Sequence, residues 1–443
     1  MNVTVAIESL IDRSRIGVRQ YFIVAICGFL AMIDGFDSQM MAFAAPDVAR
    51  EFGIPIAQFG VVFGAGSFGS LAGVLLQGPL GDLYGRKTVM LGAFAVVSAA
   101  SLLTIASGTL NQLIVLRFVA GVGLGAALPN LFAIVSEYMP KRRRSTFVTA
   151  MFCGVPLGSV LGGMATAQLL PHYGWRTIFY LGGLLPLVVL PIAWAFVPES
   201  FSYLVTRPSS GARVGRNLSQ INIEAPSVET YDFKRRDRGI IGLSVGQLFA
   251  EGRTAGTILL WLISFLSLVT SIFLTSWLPL ILNQAGVTIS MAVMGGVVLS
   301  GGGMLGALLF SSLTDKFDIY KVLAPAYVIA AVSVGLIGVA PPSGAVVTGV
   351  IFLAGFFCIG AQMCLPPLVA YYYPSALRAS GLGWTMAVGR VGAIVGPALA
   401  GLLLAWEFTP RAVLFLAGGV TLLAAISVLL LGYAHKGQLR TSR

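Results

Sequence analysis

The sequence predicts an all-α integral membrane protein with twelve transmembrane helices arranged as two six-helix, pseudo-symmetric bundles. Three observations predict it. Of 443 residues, 57% are hydrophobic and only 10% charged, whereas a soluble domain carries about 25% charged residues. Windows of about 20 apolar residues, the length a helix needs to cross the hydrocarbon core, recur twelve times. Motifs of the first six windows return in the last six.

In the first half the windows fall at 20–44, 56–80, 88–107, 112–137, 146–169 and 175–197. In the second they fall at 256–283, 290–313, 321–340, 344–370, 380–405 and 410–433. The first window is too long for the apolar segment of a signal peptide, carries acids and is followed by many more, so it reads as a span. The expected domains are 1–197, an N-terminal bundle, 198–254, a polar cytoplasmic linker with one amphipathic helix, and 255–443, a C-terminal bundle. The linker holds Arg207, Arg213, Arg216 and the run "KRRDR" at 234–238.

The formal charge of +11 does not point to nucleic acid, because the basic residues sit in short clusters between apolar runs. "RSRIGVR" precedes span 1, "GRK" follows span 2, "KRRR" follows span 4, and Lys436, Arg440 and Arg443 come after span 12. All fall on one side. The other side has only Arg50, Arg176 and Arg411, so the positive-inside rule puts both termini in the cytoplasm. Cys27, Cys153, Cys358 and Cys364 lie in apolar runs without metal-type spacing and read as small core residues. No metal or cofactor is expected. Neither a Walker-type loop nor a nucleophile–base spacing is present in the sequence, which argues against an enzyme or an ATP-driven pump.

The halves repeat at one offset. "EYMPKRRRSTF" after span 4 aligns with "YYYPSALRASG" after span 10, matching Pro140 to Pro374 and Arg144 to Arg378. The same offset matches Gly158 to Gly392 and Gly162 to Gly396, and one residue less matches Asp82 to Asp315. Parallel repeats of this kind build transporters whose substrate site lies near the midplane between the halves.

Ionisable residues inside the spans are the candidate site. An acid at the centre of a spanning helix costs about 2.5–3.5 kcal/mol on insertion scales, yet "DGFDSQ" in span 1 holds Asp34 and Asp37. At i and i+3 they share one helical face. Carboxyl groups in such a setting can take up and release a proton. Arg117 opens "RFVAGVGLGAALPN" in the outer half of span 4, where its guanidinium either forks a carboxylate, of substrate or of an aspartate, or snorkels outward. Arg390 lies about ten residues into span 11 in "VGRVGAIVGP", too deep to snorkel easily. His172 and His435 lie outside the apolar windows, so no histidine relay is expected.

"GPLGDLYGRK" (Gly78–Lys87) resembles the loop 2–3 signature of the major facilitator superfamily, and the resemblance extends over the whole twelve-span layout. It implies that Asp82 faces the N-terminus of span 11, where the helix dipole favours an anion. Asp82 would form a cytoplasmic gate with Arg86, Lys87, Glu137, Arg144, Asp315 and Arg378. Leu83 departs from the basic residue common there, and the second copy, "SSLTDKFDIYK", has lost the glycines. "GVPLGSVLGG" in span 5 imperfectly resembles the signature of proton-coupled antiporters, and close helix packing explains it equally well.

"DGFDSQ", with "GVGLGAALPN", "EYMPKRRRSTF" and "VGRVGA", resembles the aromatic acid:proton symporter family. That resemblance implies uptake of aromatic carboxylates such as benzoate or hydroxybenzoates, together with protons, across a bacterial inner membrane. Asp34 and Asp37 would carry the proton, and Arg117 and Arg390 would hold the carboxylate. Apart from the resemblance, Phe36, Tyr372, Trp277 and Trp384 are aromatic residues that either stack on the substrate ring or serve in packing and lipid contact. The alternative is a proton-coupled efflux antiporter of drugs or organic metabolites. The expected partners are the small-molecule acid, protons and the bilayer, with no nucleic acid, and the expected working state is a monomer.

Overall fold

The computed structural model describes residues 5–205, 211–221, 223, 231–232, 245–250, 252–341, 344–374 and 377–441. Arg207 and the "KRRDR" run fall outside the described residues. Twelve helices among the described residues are long and apolar enough to cross a membrane. They are spans 1 (Val18–Phe52), 2 (Ile56–Tyr84), 3 (Arg86–Ile105), 4 (Leu110–Tyr138), 5 (Lys141–Tyr173) and 6 (Arg176–Phe196). The second set is spans 7 (Thr254–Gln284), 8 (Ile289–Lys316), 9 (Ile319–Ile337), 10 (Ala345–Tyr372), 11 (Ser380–Ala405) and 12 (Pro410–His435). Most boundaries agree with the apolar windows to within a few residues. Spans 1 and 5 outrun theirs, because a helix continues past the last apolar residue until a stop signal appears. For span 1 that signal is Gly53, at φ +62°, followed by Pro55.

Local chemistry sets other ends. Span 4 starts at the Thr109 cap, whose hydroxyl accepts the Gln112 N–H at 3.4 Å, and span 9 starts at Asp318, which accepts the Tyr320 N–H at 3.0 Å. Span 10 is irregular. A π-helical turn occupies Gly355–Ile359, and the helix resumes at Leu365–Tyr372 with Pro366 and Pro367, which have no N–H, in its first turn. The one strand pairing among the described residues is a two-residue parallel bridge of Val5–Ala6 with Tyr231–Asp232.

Lipid tails are as apolar as leucine, so helices in a membrane associate through close packing rather than hydrophobic expulsion. The repeat-matched glycines supply it. A Cβ on Gly158 would run into the backbone of Met32 in span 1, and one on Gly392 into the backbone of Phe265 in span 7. The loop motifs match as well. Arg144 Nε donates to the Met139 carbonyl at 3.4 Å, and Arg378 Nε to the Tyr373 carbonyl at 3.3 Å, the same i to i−5 bracket in both halves.

The chain forms two compact units. Unit 1 comprises Met1–Ser38, Phe68–Ser159 and Arg176–Arg236. Its core includes Cys27, Leu30, Phe94, Ile134 and Met151, and the amphipathic helix Gly211–Gln220 adds Val214 and Leu218 to it. Unit 2 comprises Gln39–Ser67, Val160–Trp175 and Asp237–Arg443. Leu260, Leu323, Tyr327, Leu368 and Val428 centre its core, and Phe63 meets Trp277 edge to face at 5.6 Å.

Candidate functional site

In unit 1 the structure brings Asp37 and Arg117 together. Span 1 presents Asp37, span 4 presents Arg117, and both side chains are almost wholly buried, Asp37 at 3% and Arg117 at 5% exposure. Arg117 therefore does not snorkel. Its Nη1 stands 4.0 Å from Asp37 Oδ2, and Phe179 of span 6 lies under the guanidinium at 5.1 Å. Span 3 supplies two hydroxyls. Ser101 Oγ donates to Asp37 Oδ1 at 2.9 Å, and Thr104 Oγ1 accepts from Arg117 Nη2 at 3.1 Å. Asp37 Oδ2 and Arg117 Nε make no hydrogen bond among the described residues. A carboxylate and a guanidinium thus face each other at the limit of ion-pair distance, each with hydrogen-bonding capacity in reserve.

Asp34 is equally buried, and Phe36 is nearly so. Between the two aspartates, the Gly35 carbonyl accepts Ser159 Oγ of span 5 at 2.9 Å, and a Cβ on Gly35 would meet the Val155 carbonyl. Span 1 is therefore clamped at the height of its acids. Arg390, Trp384 and Tyr372 belong to unit 2. Arg390 is half-buried partway along span 11. Trp384 stacks on Trp261 of span 7 at 6.0 Å. Tyr372 ends span 10, donates to the Arg253 carbonyl at 3.3 Å and meets the rings of Tyr373 and His435 edge to face.

The loop 2–3 end of unit 1 carries a second polar network. Arg86 Nη1 is 3.6 Å from Glu137 Oε1, so these two expected gate residues meet. Glu137 also accepts Ser200 Oγ at 2.7 Å and Ser202 Oγ at 2.6 Å. Glu199 accepts the backbone N–H groups of Lys87 and Ser200, each at 2.9 Å. It thereby caps the first turn of span 3 from a distant part of the chain, where Gly85, at φ +96°, has no side chain to offer. Burial pushes the Glu199 carboxyl above its ordinary range, against the opposing pull of the N–H donors and the Lys87 charge. Asp82 and Asp315 are exposed. Ser101, Thr104, Phe179, Glu199, Ser200 and Ser202 are neighbours of the candidate residues that the sequence reading does not single out. Among the described residues no group of His, Cys, Asp or Glu side chains is gathered to hold a metal, and the four cysteines are free thiols.

Twelve apolar spans, repeat-matched packing and a buried acid–base pair define a polytopic membrane transporter of the twelve-helix, two-repeat class, not an enzyme. The family profile described as Major Facilitator Superfamily matches residues 27–388 and 260–442, and the chain belongs to that superfamily. It is 36% identical to the 4-hydroxybenzoate transporter PcaK of Pseudomonas aeruginosa, over 91% of this chain and 90% of that one. It is 33% identical to the gallate transporter of Pseudomonas putida over 98% and 97% of the two chains. The benzoate transport protein of Acinetobacter baylyi is 30% identical over 92% and 88%. In fold it resembles the crystal structure of a D-xylose-proton symporter, with a TM-score of 0.71 at 15% identity, over 92% of this chain and 97% of that one.

Proposed function

We propose that this protein is a proton-coupled symporter that brings aromatic carboxylates, benzoate or hydroxybenzoates among them, into a bacterial cell across its inner membrane. In this reading residues 1–197 and 255–443 are the two rocking halves, 198–254 link them in the cytoplasm, both termini are cytoplasmic, and a monomer is the working unit. The buried, loosely closed Asp37–Arg117 pair carries the proposal. Relatives named for 4-hydroxybenzoate, gallate and benzoate support the substrate class.

The chemistry follows from competition for one guanidinium. With Asp37 ionised, Arg117 is held by it. Protonation from the outer side neutralises Asp37 and frees the Arg117 fork for a substrate carboxylate, while Arg390 supplies a second cation. Loss of the proton on the inner side returns Arg117 to Asp37 and weakens the hold on substrate. Protonation and substrate thus favour each other, which is the differential affinity that coupling requires. Asp34, one turn away on the same face, serves as proton donor or acceptor to the pair. Asp82, Arg86, Lys87, Glu137, Arg144, Asp315 and Arg378 gate the cytoplasmic ends, and Phe36, Trp384 and Tyr372 supply aromatic surface along the substrate's path.

One proton moving with one monovalent anion carries no net charge, whereas each further proton would add about 2.3 kcal/mol per 100 mV of membrane potential. Proteoliposomes given a pH gradient, acid outside, are expected to accumulate labelled 4-hydroxybenzoate. A voltage imposed at zero pH gradient is expected to drive none. Voltage-driven uptake would reject the one-proton stoichiometry, and proton-driven expulsion of the acid would reject symport in favour of efflux.

A further inference from the structure

A cavity of about 370 Å³ opens at the loop 2–3 end of unit 1, beside the Glu199 cap. Four cations line it: Arg19 near the start of span 1, Lys87 in the first turn of span 3, and Arg213 and Arg216 on the helix Gly211–Gln220. Among the described residues the one acid in its wall, Glu199, is engaged with the span 3 N–H groups. Positive charge is therefore in excess. Arg19 Nε is buried without a hydrogen-bond partner among the described residues, and Lys87 Nζ donates to the Trp194 carbonyl. Several guanidinium forks converging on one cavity suit the oxygens of a phosphate ester.

The apolar flank decides which kind. Phe196 of span 6 lines the cavity and is 46% exposed. A soluble phosphate makes no use of this ring at the cavity's edge, whereas acyl chains would lie against it. We infer that this cavity seats the phosphodiester of an anionic phospholipid, its acyl chains running along span 6 past Phe196. Basic pockets at the membrane surface recognise lipid head groups by this combination of local charge and adjoining hydrocarbon. Arg213 and Arg216 come from the segment between the two halves, so the lipid would fasten that segment's helix to spans 1, 3 and 6 of unit 1.

Full-length protein, purified in detergent and stripped of lipid, is to be titrated with dioleoyl phosphatidylglycerol or dioleoyl phosphatidylcholine, and bound lipid read by native mass spectrometry. Phosphatidylglycerol is expected to be retained in preference to phosphatidylcholine. Arg213→Ala/Arg216→Ala should weaken its retention roughly ten- to thirty-fold. Arg213→Lys/Arg216→Lys, which keeps the charges and loses the forks, should fall between the wild type and the alanine pair, and Lys321→Ala, outside the cavity, should change nothing. Equal retention of the two lipids, or an alanine pair that holds phosphatidylglycerol as the wild type does, would overturn the inference. So would a lysine pair as weak as the alanine pair, or displacement of the lipid by millimolar inorganic phosphate, which would mark a site for a free anion.

Discussion

Replacing Arg117 with Gln tests the pair at the centre of the proposal. The substitution removes the cation 4.0 Å from Asp37 Oδ2 and leaves the carboxylate with one hydrogen bond, from Ser101 at 2.9 Å. Breaking one partner out of a buried ion pair costs about 3–5 kcal/mol, mostly because the other charge is left uncompensated. The long separation and the surviving serine bond place the expected loss near the lower bound, about 3 kcal/mol. Asp37→Asn/Arg117→Gln removes both charges together, so the double variant should recover about 1–3 kcal/mol relative to the sum of the singles. The assay is thermal inactivation of the purified protein in detergent at pH 7, in which Arg117→Gln should be less stable than the wild type and the double variant should recover part of the loss. An Arg117→Gln protein as stable as the wild type at pH 7, or strictly additive single effects, would refute the reasoning.

Three further outcomes are expected. Asp34→Asn should abolish accumulation driven by a pH gradient while sparing counterflow exchange, and wild-type accumulation would remove this acid from the proton path. Arg390→Lys keeps the charge but loses the two-pronged fork, so the apparent KM for 4-hydroxybenzoate should rise about ten-fold, equivalent to about 1.4 kcal/mol, with an unchanged KM counting against contact. For Glu199 the folded state holds its proton more tightly than the unfolded chain does. Its contribution to stability is therefore full below the ordinary value of 4.5 and declines as pH rises above it. The wild type should lose stability relative to Glu199→Gln across that interval in thermal melts, and a relative gain would contradict the assignment.

The spans were legible because the bilayer allows few solutions: every backbone polar group must be satisfied within the helix, and the helix must be long enough to cross. Span 11 shows this well, its window of 380–405 lying within the helix Arg378–Ala405 and ending with it. Arg117 and Asp37 were legible as anomalies in apolar runs, although their pairing was one option among several. Ser101 and Thr104 escaped notice, since small hydroxyls in a spanning helix usually bond their own backbone, as Thr104 also does to Ala100. Glu199 carries no signal in the sequence, because its partner is the first turn of a helix remote in sequence. The break in span 10 did have a signal, the pair Pro366–Pro367, which an apolar count does not weigh.

The glycine contacts between spans 1 and 5 bring the two main chains together beside the acids, with the Ser159 hydroxyl bridging them. Single substitutions therefore have almost nothing to vary there, and even one added methyl group at Gly35 or Gly158 would collide with the opposite main chain. Changes that alter which ring this protein accepts are then expected on the other faces of these helices, with the seam held by its two glycines.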